Sequence, residues 1–383
     1  MKITNVVALQ LRVRNIENIF DGTQDVLVVR VETDAGLAGL GEVVSSSYVA
    51  RSVIEAPGSG GGRHGLAEII RGMNPLDPEA VWNHMWEESG WYGRRGVAIH
   101  AMAGIDVALW DIRAQALGVP LHAALSELPA REIPPYASVL WGDTESATQS
   151  LAKDLMSAGF PAVKFGFGPI GTSQEQDVAM VKAARATLGE SRDLMVDVGR
   201  RWTLDAAIAR CEALTSLGVT WVEEPLHPED LDGYAKLTKA VSMPIAAAET
   251  EETIPAFRAF LEAGVKVIQP DLGRVGLTQG MKLAALAGEY GARCVPHCFG
   301  TGINTAASIH WMVASGGNLV EYPMRSNDLC RNLVRGVPVV QNERVAPHAT
   351  PGLGVALDPR VVTEYLFSDR GRAIPEMVGA AQG

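Results

Sequence analysis

Little in this chain points to a partner larger than a small molecule. Basic runs are missing, and the formal net charge of -11 argues against nucleic acid and anionic membrane surfaces. No apolar stretch approaches the ~20 residues of a membrane span. Cysteine is scarce: Cys211, Cys294, Cys298 and Cys330 are too few and too irregular for a disulfide framework, so a reducing cytoplasm is the expected compartment. The N-terminus, MKITNVVALQLRVRN, alternates like a strand and lacks the apolar core and cleavage site of a signal peptide. Low complexity is confined to Gly58 to Gly65. That tract formally contains a Gly60-x-Gly62-x-x-Gly65 dinucleotide pattern, but Ala56-Pro57 precedes it where an apolar strand is needed. It reads as a loop, placed where a flap over a site would be. The expectation is a soluble protein that forms a homo-oligomer and acts on a small molecule.

What the chain does have is a recurrence. Asp197, Glu223, Glu249, Asp271, His297 and Glu321 each close a short apolar run, at steps of 26, 26, 22, 26 and 24 residues. That interval suits one strand, one helix and two loops of a (β/α)₈ barrel, which takes ~250 residues in eight units. Strand ends in such a barrel converge on one mouth, so these side chains meet in space and describe an active site. At 383 residues and 47% hydrophobic, the chain exceeds one barrel by enough for a second, smaller domain.

The first ~130 residues follow another rule. Strand candidates Lys2 to Arg12, Val26 to Thr33 and Leu37 to Val43, with a turn at Asp34-Ala35-Gly36, predict an antiparallel meander. A helix is expected over Val97 to Leu117, stopped by Gly118 and Pro120. Eight barrel strands are expected: Pro135 to Leu140, Ala162 to Phe165, Leu194 to Asp197, Thr220 to Glu223, Ile245 to Glu249, Val267 to Asp271, Arg293 to His297 and Leu319 to Glu321. The partition is therefore an α+β domain over 1–130, a barrel over 131–336, and a segment over 337–383 that returns to the first domain.

Asp197, Glu223 and Glu249 end successive strands, and three crowded carboxylates repel one another unless a cation is present. Oxygen ligands alone suit Mg²⁺ or Mn²⁺. Strand alternation groups Glu223 with Trp221 and turns Glu224 away as a structural carboxylate. The same alternation separates His297 from Cys294 and Cys298, so a shared zinc site is not expected. Lys164 ends the second strand beside the carboxylates. Asp271 and His297 end adjacent strands, near enough for the carboxylate to orient the imidazole as a base. Such a site would bind a small-molecule carboxylate through the metal and remove the proton next to it, with Lys164 and the cation stabilising the enediolate. A protonated Glu321 would add a hydrogen bond.

With these residues the chain resembles the enolase superfamily, in its mandelate racemase-like subgroup. The resemblance rests on Gly39-Leu40-Gly41-Glu42, the helix Ala103-Gly104-Ile105-Asp106-Val107-Ala108-Leu109-Trp110-Asp111, Lys164, Asp197, Glu223-Glu224-Pro225, Glu249, the Asp271 and His297 pair, and Glu321. It implies an α+β capping domain on a modified (β/α)₇β barrel, with Mg²⁺ held by Asp197, Glu223 and Glu249. It also implies a cap that closes over substrate, for which the loops Asn18 to Gln24 and Ser45 to Tyr48 are candidates, with Phe20 and Tyr48 as substrate contacts. Relatives that racemise carry Lys-x-Lys where this chain has Lys164-Phe165-Gly166, so one face of the substrate carbon lacks a base. Many also place Asn two after the metal Asp, where Gly199 stands; Arg200 or Arg201 follows as a candidate substrate contact. With His297 as the one strong base, dehydration of a sugar acid to a 2-keto-3-deoxy acid is the expected reaction. The alternatives are a racemase or epimerase, a lactone or anhydro-acid cycloisomerase, and, in another class, a Schiff-base lyase using Lys164.

Overall fold

The computed structural model describes residues 1–17, 22–61, 63–324 and 327–367. Strands β1 (Ile3–Arg12), β2 (Asp25–Thr33) and β3 (Ala38–Val43) form the antiparallel meander in that order. It lies on the Val97–Leu117 helix, and β3 comes unusually close to it. A Cβ on Gly39 or Gly41 would fall 2.0 or 1.9 Å from the carbonyl oxygens of Ala108 and Gly104, so only glycine permits this approach. The helix is buried almost all round because the meander covers one side and a barrel helix the other. Gly118, at φ 69°, ends it in the left-handed conformation.

Eight parallel strands follow among the described residues: β4 (Pro135–Leu140), β5 (Ala162–Gly166), β6 (Asp193–Asp197), β7 (Trp221–Glu223), β8 (Ile245–Ala247), β9 (Val267–Ile268), β10 (Arg293–Cys294) and β11 (Val320–Pro323). Each pairs with its sequence neighbour, and β11 returns to lie beside β4. Tyr136, Ala162, Met195, Trp221, Ala246, Val267, Val295 and Leu319, one from each strand or its edge, form a single buried cluster. That apolar layer fills the interior of the curled sheet. Seven helices, from Glu145–Ser157 to Gly302–Ala314, alternate with the strands, giving the (β/α)₇β order. Several start at capping side chains: Thr144, Ser173, Thr203 and Asp230 each accept a backbone N–H in the first turn. None of the described helices is long and apolar enough to cross a membrane.

Beyond the barrel, β12 (Val334–Arg335) and β13 (Ala356–Leu357) form a short ribbon. Leu366 then bridges to Leu11 on β1, and the Phe367 N–H donates to Gln10 O at 2.8 Å.

Candidate active site

Side chains two apart on a strand share a face. Two residues past the apolar layer, therefore, the interior carries Ser138, Lys164, Asp197, Glu223, Gln269, His297 and Glu321. On β8 the equivalent position is Ala248. Its φ of 83° turns the chain, and the next residue, Glu249, joins the ring instead. Ligand oxygens of Asp197, Glu223 and Glu249 lie within 4.8 Å of one another, a spacing that suits a cation. Glu249 thus reaches the group from a loop, not from the strand end expected for it.

The electrostatics call for that cation. Burial, then the neighbouring Glu223, holds the Asp197 carboxyl well above its ordinary range. Glu223 is already satisfied below the mouth. It accepts from Lys164 Nζ at 2.5 Å, Gln269 Nε2 at 2.6 Å and Trp221 Nε1 at 3.1 Å. Lys164 also pairs with Glu321 at 2.8 Å. Burial opposes the lysine's charge, but Glu223 and Glu321 outweigh it and keep the ammonium well above its usual range. The Cys298 N–H donates to the other Glu321 oxygen at 2.6 Å, while the oxygen beside Lys164 makes only the ion pair.

Glu224 does not lie on a remote face. Strand geometry ends at Glu223, Glu224 has a φ of 40°, and alternation no longer applies. Burial, Glu249 and Asp197 all raise its pKa, and Arg200 Nε stands 3.6 Å away as its counter-ion. Arg201 donates through one nitrogen to the carbonyls of Gly168, at 2.5 Å, and Ile170, at 2.9 Å. Both arginines, offered by the sequence as substrate contacts, are engaged in holding loops at the mouth.

Across the ring, His297 Nδ1 bonds Asp271 Oδ2 at 2.6 Å, and its Nε2 points to Glu249 Oε2 at 3.6 Å. Burial disfavours the imidazolium, but Glu249 and the Asp271 bond more than compensate and raise its pKa to about 10. A cation on the triad would neutralise the first of those two influences and return the imidazole toward a useful base. Asp271 is the N-cap of the Leu272–Glu289 helix, its Oδ1 accepting from Gly273 N at 2.7 Å and Asn304 Nδ2 at 3.1 Å.

Phe20 lies outside the described residues, as does part of the Asn18 to Gln24 loop. Tyr48 is half exposed on the first turn of the Ser47–Glu55 helix, so the Ser45 to Tyr48 loop is in part helix. Gln269 and Asn304 were not singled out from the sequence. Gln269 was accessible there, standing midway between Val267 and Asp271 in the same two-residue series. Asn304 was not, because its partner is set by the fold.

Residues 147–361 match the family model described as Enolase C-terminal domain-like, and residues 10–125 match the Mandelate racemase / muconate lactonizing enzyme, N-terminal domain. The chain is similar to D-galactarolactone cycloisomerase of Agrobacterium fabrum, 29% identical over 91% of this chain and 93% of that one. It is likewise similar to D-galactonate dehydratase of Xanthomonas oryzae pv. oryzae, 32% identical over 87% and 88%. The crystal structure of the 3,6-anhydro-D-galactonate cycloisomerase from Zobellia galactanivorans superposes with a TM-score of 0.87 at 28% identity, covering 96% of this chain and all of that one. A capped (β/α)₇β barrel with a carboxylate triad at its mouth defines a class of enzyme whose chemistry depends on a divalent metal. This chain belongs to the enolase superfamily, with a mandelate racemase-type N-terminal domain.

Proposed function

We propose that this chain dehydrates a sugar acid to a 2-keto-3-deoxy acid, with Mg²⁺, or Mn²⁺ in its place, held by Asp197, Glu223 and Glu249. The observation that carries this reading is the direction of His297. Asp271 fixes Nδ1, which leaves Nε2 facing the carboxylate triad at 3.6 Å from Glu249, where a metal-anchored substrate would present its α-carbon. When bound, the cation supplies positive charge against the substrate carboxylate and the charge that grows on it.

His297 Nε2 takes the α-proton as the Cα–H bond breaks. The electron pair forms the Cα–Cβ double bond, and the β-hydroxyl leaves as water with the proton returned from His297. The enol then tautomerises to the 2-keto acid. Lys164 contributes fixed charge from beneath the ring, paired with Glu223 and Glu321. Its elevated pKa argues against the Schiff-base alternative, which needs a neutral amine. The same protonation, with Gly166 on the next inward position of β5, argues against a two-base racemase or epimerase.

A cycloisomerase is the second reading, favoured by the similarity to D-galactarolactone cycloisomerase. It shares the proton abstraction and differs in expelling a ring oxygen. A panel of open-chain sugar acids, lactones and anhydro acids with Mg²⁺ separates the two. Accumulation of 2-keto acid from an open-chain substrate supports dehydration; conversion of a lactone or anhydro acid alone replaces it with the cycloisomerase.

The net acidic charge and scarce cysteines support a cytoplasmic enzyme. We assign 1–130 as the cap, 131–336 as the barrel and 337–383 as the segment returning to the cap.

A further inference from the structure

Asp271 and His297 stand past the ends of two-residue strands, linked in the main chain only by an isolated bridge. Their support comes from elsewhere. The helix that starts at Asp271 breaks at Gly276 (φ 72°, ψ 171°) and restarts one residue later. At the restart, Asp106 of the Val97–Leu117 helix accepts from Thr278 N at 2.8 Å and Thr278 Oγ1 at 2.6 Å. The helix after His297, Gly302–Ala314, begins in the same way against the N-terminal unit. Glu42 at the end of β3 accepts from Thr301 N at 2.8 Å, Thr301 Oγ1 at 2.6 Å and Asn304 N at 3.2 Å. Asn304 then donates its side chain to Asp271. Glu42, Asp106 and Asp271 are all buried, at 4%, 0% and 0% exposure.

We propose that Glu42 and Asp106 are positioning residues for the Asp271–His297 pair, acting from the meander-and-helix unit: Glu42 fixes the start of the helix behind His297, and Asp106 the restart, past Gly276, of the helix that begins at Asp271. Asp271 Oδ1 is held by two donors, Gly273 N and Asn304 Nδ2, so that Oδ2 is aligned on the imidazole. Glu42 fixes the turn from which Asn304 projects; without it Asp271 Oδ1 keeps only the Gly273 N–H, and the ring's direction is less tightly set. This explains why the Gly39-Leu40-Gly41-Glu42 and Ala103-to-Asp111 segments, neither of which contributes to the ring at the mouth, belong to the same machine. The inference rests on the reading of His297 as the base.

The test is Glu42→Gln in the full-length, Mg²⁺-loaded protein. Gln keeps the size but turns an amide toward donors. Two readouts are needed: kcat and KM on the active sugar acid, and the downfield proton resonance of the His297 Nδ1–H, assigned by its loss in His297→Asn. Displacement of a reactive group by about 1 Å costs about 100-fold, so kcat should fall on that order while KM stays within about threefold, and the resonance should shift or broaden. Asn304→Ala, which leaves Glu42 and its helix cap in place, should do the same if Glu42→Gln does not fold. Asp106→Asn, which keeps an acceptor for Thr278, should lose less activity than Asp106→Ala. A folded Glu42→Gln or Asn304→Ala protein with native kcat and an unmoved resonance overturns the proposal. Turnover retained in His297→Asn would instead sink the dehydratase reading, and the resonance would still report whether Glu42 orients the pair.

Discussion

On one side of the mouth, Gly166, Asp197 and Glu223 stand directly opposite one another in an unbroken parallel register across β5, β6 and β7. On the other side, β9 and β10 are two residues long, and Asp271 and His297 lie beyond them. The first wall is placed by the main chain; the second depends on side chains from a different part of the molecule. The difference follows the demands of each task. A cation tolerates carboxylates set by a stiff ladder, whereas a base must be aimed, and aiming needs adjustable contacts such as those of Asn304 and Glu42.

The two walls should separate cleanly under mutation. His297→Asn should cut turnover by about 10² to 10⁴, the usual worth of a positioned general base, while isothermal titration with Mg²⁺ or Mn²⁺ stays near native. Loss of metal binding in that variant would mean that the walls are not independent. Asp197→Asn should do the reverse. Its metal affinity should drop by at least the roughly 10- to 100-fold seen for groups that merely support a ligand, yet the His297 proton resonance should persist. Chelation of the native protein by EDTA should mimic it and be reversed by added Mg²⁺. A smaller effect concerns stereochemistry: in D₂O, an α-proton should exchange from the face His297 addresses and not from its epimer, because Lys164 is held protonated. Equal exchange of both epimers would restore a two-base mechanism.

Acid should weaken the fold through its buried histidines. His310, on the Gly302–Ala314 helix, is held neutral, its pKa lowered to about 3 by burial and by His122. The folded state thus binds fewer protons than the unfolded one between pH 6.5 and about 3. Stability from this group is fully present above 6.5 and is lost as pH falls below it, at up to about 1.4 kcal/mol per unit. His310→Gln should flatten that slope in urea titrations across pH 4 to 7. An unchanged slope would assign the acid sensitivity to other groups.

The strand ends were legible because apolar runs with an inward residue two positions on repeat at a barrel's interval. The Val97–Leu117 helix was readable to the residue, with Gly118 as its stop. The sequence pattern failed where the backbone leaves the strand: it put Glu249 on β8, and it placed Glu224 on a far face that no longer exists past Glu223. Nothing local announces that Arg200 stands beside Glu224 or that Arg201 donates to two carbonyls. Least legible were Glu42 and Asp106, whose partners lie 259 and 172 residues away. No periodicity encodes such a contact.

Ala248 offers a last lesson about where this chain accepts discomfort. At φ 83° an alanine adopts a conformation that glycine takes without penalty, at a cost of roughly 1–2 kcal/mol. Ala248→Gly would relieve that cost and lose about 0.4–1 kcal/mol through a more flexible unfolded chain, so the melting temperature should move little. Metal affinity should nonetheless fall by a few-fold, because glycine would allow Glu249 to swing among conformations that the methyl group forbids. If so, the methyl group is a ratchet: a single carbon that restricts the hinge on which the third carboxylate turns.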